Sequence, residues 1–254
     1  DVSAGEREAL FEKLYPGPGF SLWLGAFADI FTDQKANDLI SDFVARKIRQ
    51  RVKDPKIAEM LIPKDHGFGT RRVPLETKYY EVYNQPNVEL VDIRATPIER
   101  ITPSGIKTRG REYELDMIIY ATGFDAVTGA ITRIDITGEG GVKLKDKWAD
   151  GPRSYLGLQS AGFPNLFTLV GPQGNSALCN IPRCAELNVE WVTDMIRHMR
   201  DNQLARAQPS KAAEDTWVKH VAEVADATLL AKTDSWYTGS NVPGKKRTFL
   251  IWAG

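Results

Sequence analysis

Between Asn37 and Val52 apolar residues return every three or four positions. Leu39, Ile40, Phe43, Val44 and Ile48 form one stripe, and Asp42, Arg46, Arg49 and Lys53 face away from it. That spacing predicts an amphipathic helix. Pro55 ends it, and the cluster Pro16-Gly17-Pro18-Gly19 marks a turn between earlier helical stretches. Residues 3–50 therefore read as helical.

From residue 56 the period shortens. Val88–Asp92, Ile98–Ile101, Gly105–Thr108 and Tyr113–Tyr120 are short strand-like runs separated by turns. They predict a small antiparallel meander leading into a buried strand at residues 116–121. The segment Asp116–Asp125 is an acidic residue, an apolar run and a small-residue turn at Ala121-Thr122-Gly123. Such a strand buries both faces, and Gly123 permits a positive φ or a close backbone approach. Ile131–Ile136 and Leu166–Val170 read as further strands, with Trp148 on a loop between them. Two amphipathic helices follow. One, about Pro182–Met199, places Val189, Val192, Ile196 and Met199 at core spacing; the other, about Ala212–Leu229, uses Trp217, Val221 and Val224. Strands alternating with helices argue for an α/β chain with a helical N-terminal subdomain.

At 254 residues the chain has material for one large domain or two moderate ones. Its 33 basic and 33 acidic residues cancel, which argues against nucleic acid as a partner. No apolar run approaches the roughly 18 residues that cross a bilayer, and no basic-then-apolar leader is present, so no membrane partner is expected. Cys179 and Cys184 have no metal-type spacing with His66, His198 or His220. No metal site and a cytoplasmic setting with reduced thiols are the expectation, a short disulfide being the minor alternative. The sequence begins at Asp1 and closes on Phe249–Gly254, which reads as a core strand; a piece of a longer polypeptide is expected.

Three segments carry candidate chemistry. In Pro63–Arg72 a Gly-rich loop presents Arg71 and Arg72, two guanidinium forks suited to a phosphate or another anion. In Gly171–Pro182 a loop opens onto a helix with proline near its first turn. The free N–H groups and partial positive charge of a helix start suit a phosphate or an electron-rich ring. In Ser235–Lys246 aromatic residues share a loop with glycine and proline, and can stack on a ligand. Singly, these are equally a solvated basic turn, a plain strand–loop–helix connection and packing tryptophans. The dinucleotide fingerprint Gly-Xaa-Gly-Xaa-Xaa-Gly is absent, because the candidates at Gly17, Gly67 and Gly138 fail at the last glycine. No hydrolase elbow, metal-binding helix motif or carboxylate pair is present.

In their order along the chain, Pro63–Arg72, Ala121–Thr128, Gly151–Asn180 and Ser235–Lys246 resemble the C-terminal half of a Baeyer–Villiger monooxygenase, most of all the phenylacetone and steroid monooxygenase branch. The resemblance runs over residues 1–254. It implies the C-terminal part of a flavoprotein with two Rossmann-like dinucleotide-binding domains. Residues 1–55 would be a helical subdomain, 56–123 the closing part of an NADP-binding domain and 124–254 that of an FAD-binding domain.

Members use FAD and NADPH to insert one oxygen of O2 into a ketone, by way of a C4a-peroxyflavin, giving an ester or lactone. On this resemblance Arg72 is the catalytic arginine that stabilises the anionic adduct. Arg71 contacts the 2′-phosphate of NADPH, and Trp236 hydrogen-bonds NADP. Asn180 and Ile181 meet FAD, while Ser176, Ala177 and Leu178 line the ketone pocket. Cys179 is a small packing residue. The Gly-rich phosphate loops and the family's Phe-Xaa-Gly-Xaa-Xaa-Xaa-His-Xaa-Xaa-Xaa-Trp signature are missing from this sequence. The resemblance thus implies a chain that needs the N-terminal half of the same polypeptide and is inactive alone. Two alternatives stay open: a related flavin N-hydroxylating monooxygenase, and a non-catalytic module of flavoprotein ancestry.

Overall fold

Ser3 starts the first helix. Its hydroxyl accepts the Glu6 N–H at 3.2 Å, and the Glu6 carboxylate accepts the Ser3 N–H at 3.0 Å, closing a capping box at the head of α1 (Ala4–Leu14). A short α2 (Ser21–Gly25) and the long α3 (Gln34–Arg51) follow. In α3 the stripe read from the sequence is buried at Ile40, Phe43 and Ile48, whereas Leu39 stays 41% exposed. Phe11 of α1 meets the Phe43 ring at 5.4 Å. Pro55 does more than stop α3: with Asp54 as the cap it opens α4 (Pro55–Leu61), which adds Ala58 and Ile62 to the core around Ile48 and Val52.

The structure is a computed structural model that describes residues 2–176 and 179–253. The chain divides into two compact units. The first comprises Asp1–Phe27, Ala36–Phe68 and Val73–Gly123; the second comprises Ala28–Lys35, Gly69–Arg72 and Phe124–Gly254. In the first, Arg51 organises the end of α3. It forks onto the Glu81 carboxylate at 2.6 and 2.8 Å, reaches Glu76 at 2.7 Å and the Tyr15 hydroxyl at 3.1 Å, and lies over the Tyr80 ring. Beyond the short α5 (Tyr79–Val82), β1 (Ile98–Thr102), β2 (Gly105–Thr108) and β3 (Glu112–Glu114) form the expected antiparallel meander, in the order β1-β2-β3.

Several expected strands do not form. Residues 116–121 form no strand with any of the described residues, and Met117 is 75%, Ile119 81% and Tyr120 68% exposed. An apolar run of this kind becomes a strand only when neighbours satisfy its backbone on both sides, and none of the described residues supplies them. Val88–Asp92 and Leu166–Val170 are likewise irregular. Ile131–Ile136 is replaced in part by a single helical turn, α6 (Gly129–Thr132). Among the described residues the only sheet is therefore the meander, and no parallel sheet is seen.

The second unit is built around α7 (Leu144–Lys147), α8 (Ile181–Asp201) and α9 (Lys211–Asp226). Leu144, Trp148 and Phe163 form one apolar cluster; Leu230, Tyr237 and Ile251 form another. Of the α9 pattern Val221 is buried while Trp217 and Val224 are half-buried, and Ala225 is buried beside them; α8 has no buried residue, so its Val189 and Ile196 face solvent instead of a core. Loops carry the interior instead. Gly157, at φ +70, lies so close to Gly174 that a Cβ would stand 2.3 Å from the Gly174 Cα. Two backbones thus pack directly, fixing the 171–176 loop against residues 154–160. Among the described residues no helix is long and apolar enough to cross a membrane.

Candidate functional site

A single segment, residues 248–252, holds the candidate site together. Its Thr248 N–H donates to the Thr238 carbonyl at 3.1 Å, and its Leu250 N–H donates to the Tyr237 carbonyl at 2.7 Å. It also holds the 173–176 loop: the Leu250 carbonyl accepts the Gln173 N–H at 2.8 Å, and the Trp252 N–H donates to the Asn175 carbonyl at 2.9 Å. Ser176 pairs with Trp252 in a parallel bridge. Leu250 is 1% exposed, and Ile251 joins the Tyr237 cluster. Two motifs separated by some sixty positions are thereby stitched to one spine: the 173–176 loop and the Trp236-Tyr237 turn.

The arginine pair approaches the second of these. Arg71 Nε donates to the Asp234 carbonyl at 2.7 Å, docking the Gly69–Arg72 segment just ahead of Ser235. The Ser235 hydroxyl accepts the Tyr237 N–H at 3.1 Å and starts a single 3-10 turn, Trp236–Thr238, which Gly239 ends at φ +70. Trp236 is half-buried, and its ring stands edge-on to Tyr237 at 4.3 Å. Arg72 is exposed. Its charge is felt at Tyr237: burial pushes that phenol up to about 12, against a smaller downward pull from Arg72.

Tyr237 is wholly buried, and its hydroxyl has no hydrogen-bond partner among the described residues. Deleting an unpaired buried hydroxyl removes a desolvation penalty and breaks nothing. Tyr237→Phe is therefore expected to leave urea stability at pH 7 unchanged or up to about 1 kcal/mol higher. A phenol whose pKa is raised by folding favours the native state below the unfolded pKa and loses that contribution as pH climbs. The wild type should accordingly lose stability relative to Tyr237→Phe between about pH 10 and 12. A Phe variant destabilised by 2 kcal/mol or more at pH 7 would show that the hydroxyl has a partner.

The third group surrounds the start of α8. Asn180 is the N-cap, its side chain accepting the Arg183 N–H at 3.4 Å, and Pro182 occupies the first turn. Ile181, the first helical residue, is 49% exposed. This leaves an open helix start with its partial positive charge at Asn180-Ile181. Ser176 lies just upstream, half-buried. Ala177 and Leu178, read from the sequence as pocket-lining, lie outside the described residues. Cys179 and Cys184 are joined by a disulfide with their Cα atoms 6.6 Å apart, which corrects the expectation of two reduced thiols. The reason is local: Cys184 falls on the first turn of α8, and that turn carries it back beside Cys179.

Arg71, Arg72, Trp236, Ser176, Asn180 and Ile181 thus all belong to the second unit. A cavity of about 420 Å³ in this unit is elsewhere: it is lined by Val221 and Ala225 of α9 together with Arg153, Arg247 and Phe249, and none of those six residues borders it. Among the described residues no cluster of potential metal ligands exists. Tyr237 and Leu250 carry no sequence signal of their own: Tyr237 adjoins the more conspicuous Trp236, and the C-terminal apolar run states that it is to be buried without naming a partner.

No family model matches the chain. It is 55% identical over 237 residues to the 2-oxo-Delta(3)-4,5,5-trimethylcyclopentenylacetyl-CoA monooxygenase of Pseudomonas putida, a match covering 93% of this chain and 44% of that protein. It is 46% identical over 256 residues to the acetone monooxygenase (methyl acetate-forming) of Gordonia sp. (strain TY-5), covering 100% of this chain and 48% of that one. The crystal structure of OTEMO in complex with FAD and NADP matches at a TM-score of 0.94 and 53% identity, across 100% of this chain and 47% of OTEMO. The chain spans about half the length of the curated relatives it matches.

Proposed function

We propose that this chain, homologous to the Baeyer–Villiger monooxygenases over about half of their length, is the C-terminal half of an FAD-dependent, NADPH-using enzyme of that family. The whole protein inserts one oxygen atom of O2 into a ketone to give an ester or lactone. Residues 1–55 are its helical subdomain, 56–123 close the NADP-binding domain and 124–254 close the FAD-binding domain.

The observation that carries this reading is the docking of Arg71 on the Asp234 carbonyl, which sets the arginine pair beside Trp236 across 163 positions of sequence. The residues present fit the edge of the two cofactors. The open start of α8 offers N–H groups to an electron-rich ring, with Asn180 and Ile181 against FAD. Arg71 offers a guanidinium to the 2′-phosphate of NADPH, and Trp236 an indole N–H to the same nucleotide. The bound flavin supplies the activation of dioxygen. Arg72 supplies a permanent, exposed positive charge where negative charge develops during oxygen transfer. Ser176, with Ala177 and Leu178, borders the ketone.

The test uses the longer polypeptide with NADPH and O2. It is offered acetone, cyclopentanone, a cyclopentenylacetyl-CoA ketone and, separately, an aromatic amine. Ester or lactone carrying label from 18O2 supports the reading; oxidation of the amine alone overturns it in favour of an N-hydroxylating enzyme. Within that assay Arg71→Ala should raise the KM for NADPH about tenfold and leave kcat within about twofold, because a phosphate contact is shared by ground and transition states. An unchanged KM would remove Arg71 from the nucleotide site.

A further inference from the structure

Asp125, just beyond Gly123, and Lys245, near the end of the Trp236 loop, have no part in the proposed chemistry. The structure joins them. Lys245 Nζ forms an ion pair with the Asp125 carboxylate and donates to the Thr128 hydroxyl at 2.7 Å. The Lys245 side chain is 19% exposed, that of Asp125 33%, and Thr128 is 5% exposed. The lysine stem runs across Gly239, whose added Cβ would lie 3.3 Å from the Lys245 Cδ.

Neighbouring contacts reinforce the junction. Asn241 Nδ2 donates to the Phe124 carbonyl at 3.1 Å, and Val127, at φ +68, packs on the cluster that holds Trp236 and Tyr237. Asp125 is itself held, since its carbonyl accepts the Gly129 N–H and Gly129 leaves no room beside its carboxylate. The adjacent cations of the same loop differ. Lys246 pairs with Asp150 at side-chain exposures of 58% and 87%; Arg247 pairs with Asp234 at 40% and 77% and also donates to the Ala231 and Thr233 carbonyls, so both pairs lie where water competes for the charge.

We propose that Lys245 is a positioning residue that clasps the 235–248 loop to the 124–128 turn and thereby holds Trp236 in place for the nicotinamide nucleotide. This rests on the assignment of Trp236 to NADP. An ion pair less open to water than its neighbours is harder to replace by solvent, and its Thr128 bond ties it to the turn, so it sets where the loop stands. The turn it grips begins at Phe124, the residue at which the second unit resumes after the meander.

The experiment uses the longer polypeptide with FAD bound, as wild type, Lys245→Met, Asp125→Asn, the double variant and Lys245→Arg. Amide hydrogen exchange across residues 235–243 should speed up about tenfold in each single variant and no further in the double, with α3 and α9 unchanged. The KM for NADPH should rise about tenfold with kcat within about twofold, and Lys245→Arg, which keeps both acceptors, should restore it. A general loss of stability would not give that split or that rescue. Unchanged exchange in Lys245→Met overturns the clasp. Faster exchange with an unaltered KM overturns its role in placing Trp236. If the wild type fails to use NADPH at all, the functional assignment fails and the positioning role with it, while the exchange pattern still decides whether the clasp exists.

Discussion

In the longer polypeptide, Arg72→Ala should lower ester formation by about 10²–10³-fold while FAD stays bound and the protein stays folded. Arg72 is exposed and lies outside the Leu144 and Leu230 clusters. The role proposed for it is electrostatic. A guanidinium keeps its charge at every working pH, and a fixed charge costs no reorganisation when negative charge develops beside it. Flavin absorbance and thermal stability should match the wild type, and NADPH should still be oxidised, with its electrons lost to hydrogen peroxide instead of appearing in ester. Arg72→Lys should recover only part of the loss, since an ammonium is a point charge without the planar fork. Normal ester yield in Arg72→Ala would end the catalytic assignment.

The largest effect on stability is expected at Lys147. Glu214 of α9 is 1% exposed; its carboxylate accepts from Lys147 Nζ at 2.8 Å and from the Ala161 N–H at 2.8 Å, with Arg153 at 3.7 Å. Lys147 Nζ also donates to the Ala161 carbonyl and lies 5.7 Å from the Phe163 ring centroid. The pair thus fastens α7, the 161–163 turn and α9 together. Lys147→Met keeps the stem but leaves a buried carboxylate short of its main counter-charge, at a cost of about 3–5 kcal/mol. Glu214→Gln keeps an acceptor for the Ala161 N–H and should cost less. Urea unfolding monitored by circular dichroism measures both. A loss below about 1 kcal/mol for Lys147→Met would mean that Arg153 already carries the compensation.

What the sequence showed and what it hid follow from how local each interaction is. The helices α3, α8 and α9 were legible because helical periodicity and caps lie within a few residues of one another. The meander was legible because its turns and strands are adjacent. The strand at 116–121 was read from its apolar run, yet a run only states that burial is wanted; pairing requires neighbours, and the described residues bring none. The apolar stripe of α8 misled in the same way, since Val189 and Ile196 declare a face without saying what covers it. The site residues were found through the resemblance of four ordered motifs. Their assembly was hidden, because the bonds that make it are long in sequence: Arg71 to Asp234, Lys245 to Asp125, Gln173 to Leu250. The disulfide was misjudged from composition, which reports a compartment and not the pitch of a helix.

The Leu250 backbone is used twice, its N–H by the Tyr237 carbonyl and its carbonyl by the Gln173 N–H. On the roles proposed above, reshaping the 173–176 loop to admit a bulkier compound tugs on the same ribbon that carries the indole at 236. Gains in substrate range obtained there should then arrive with altered coenzyme affinity, and libraries that vary the two loops together should outperform those that vary either alone.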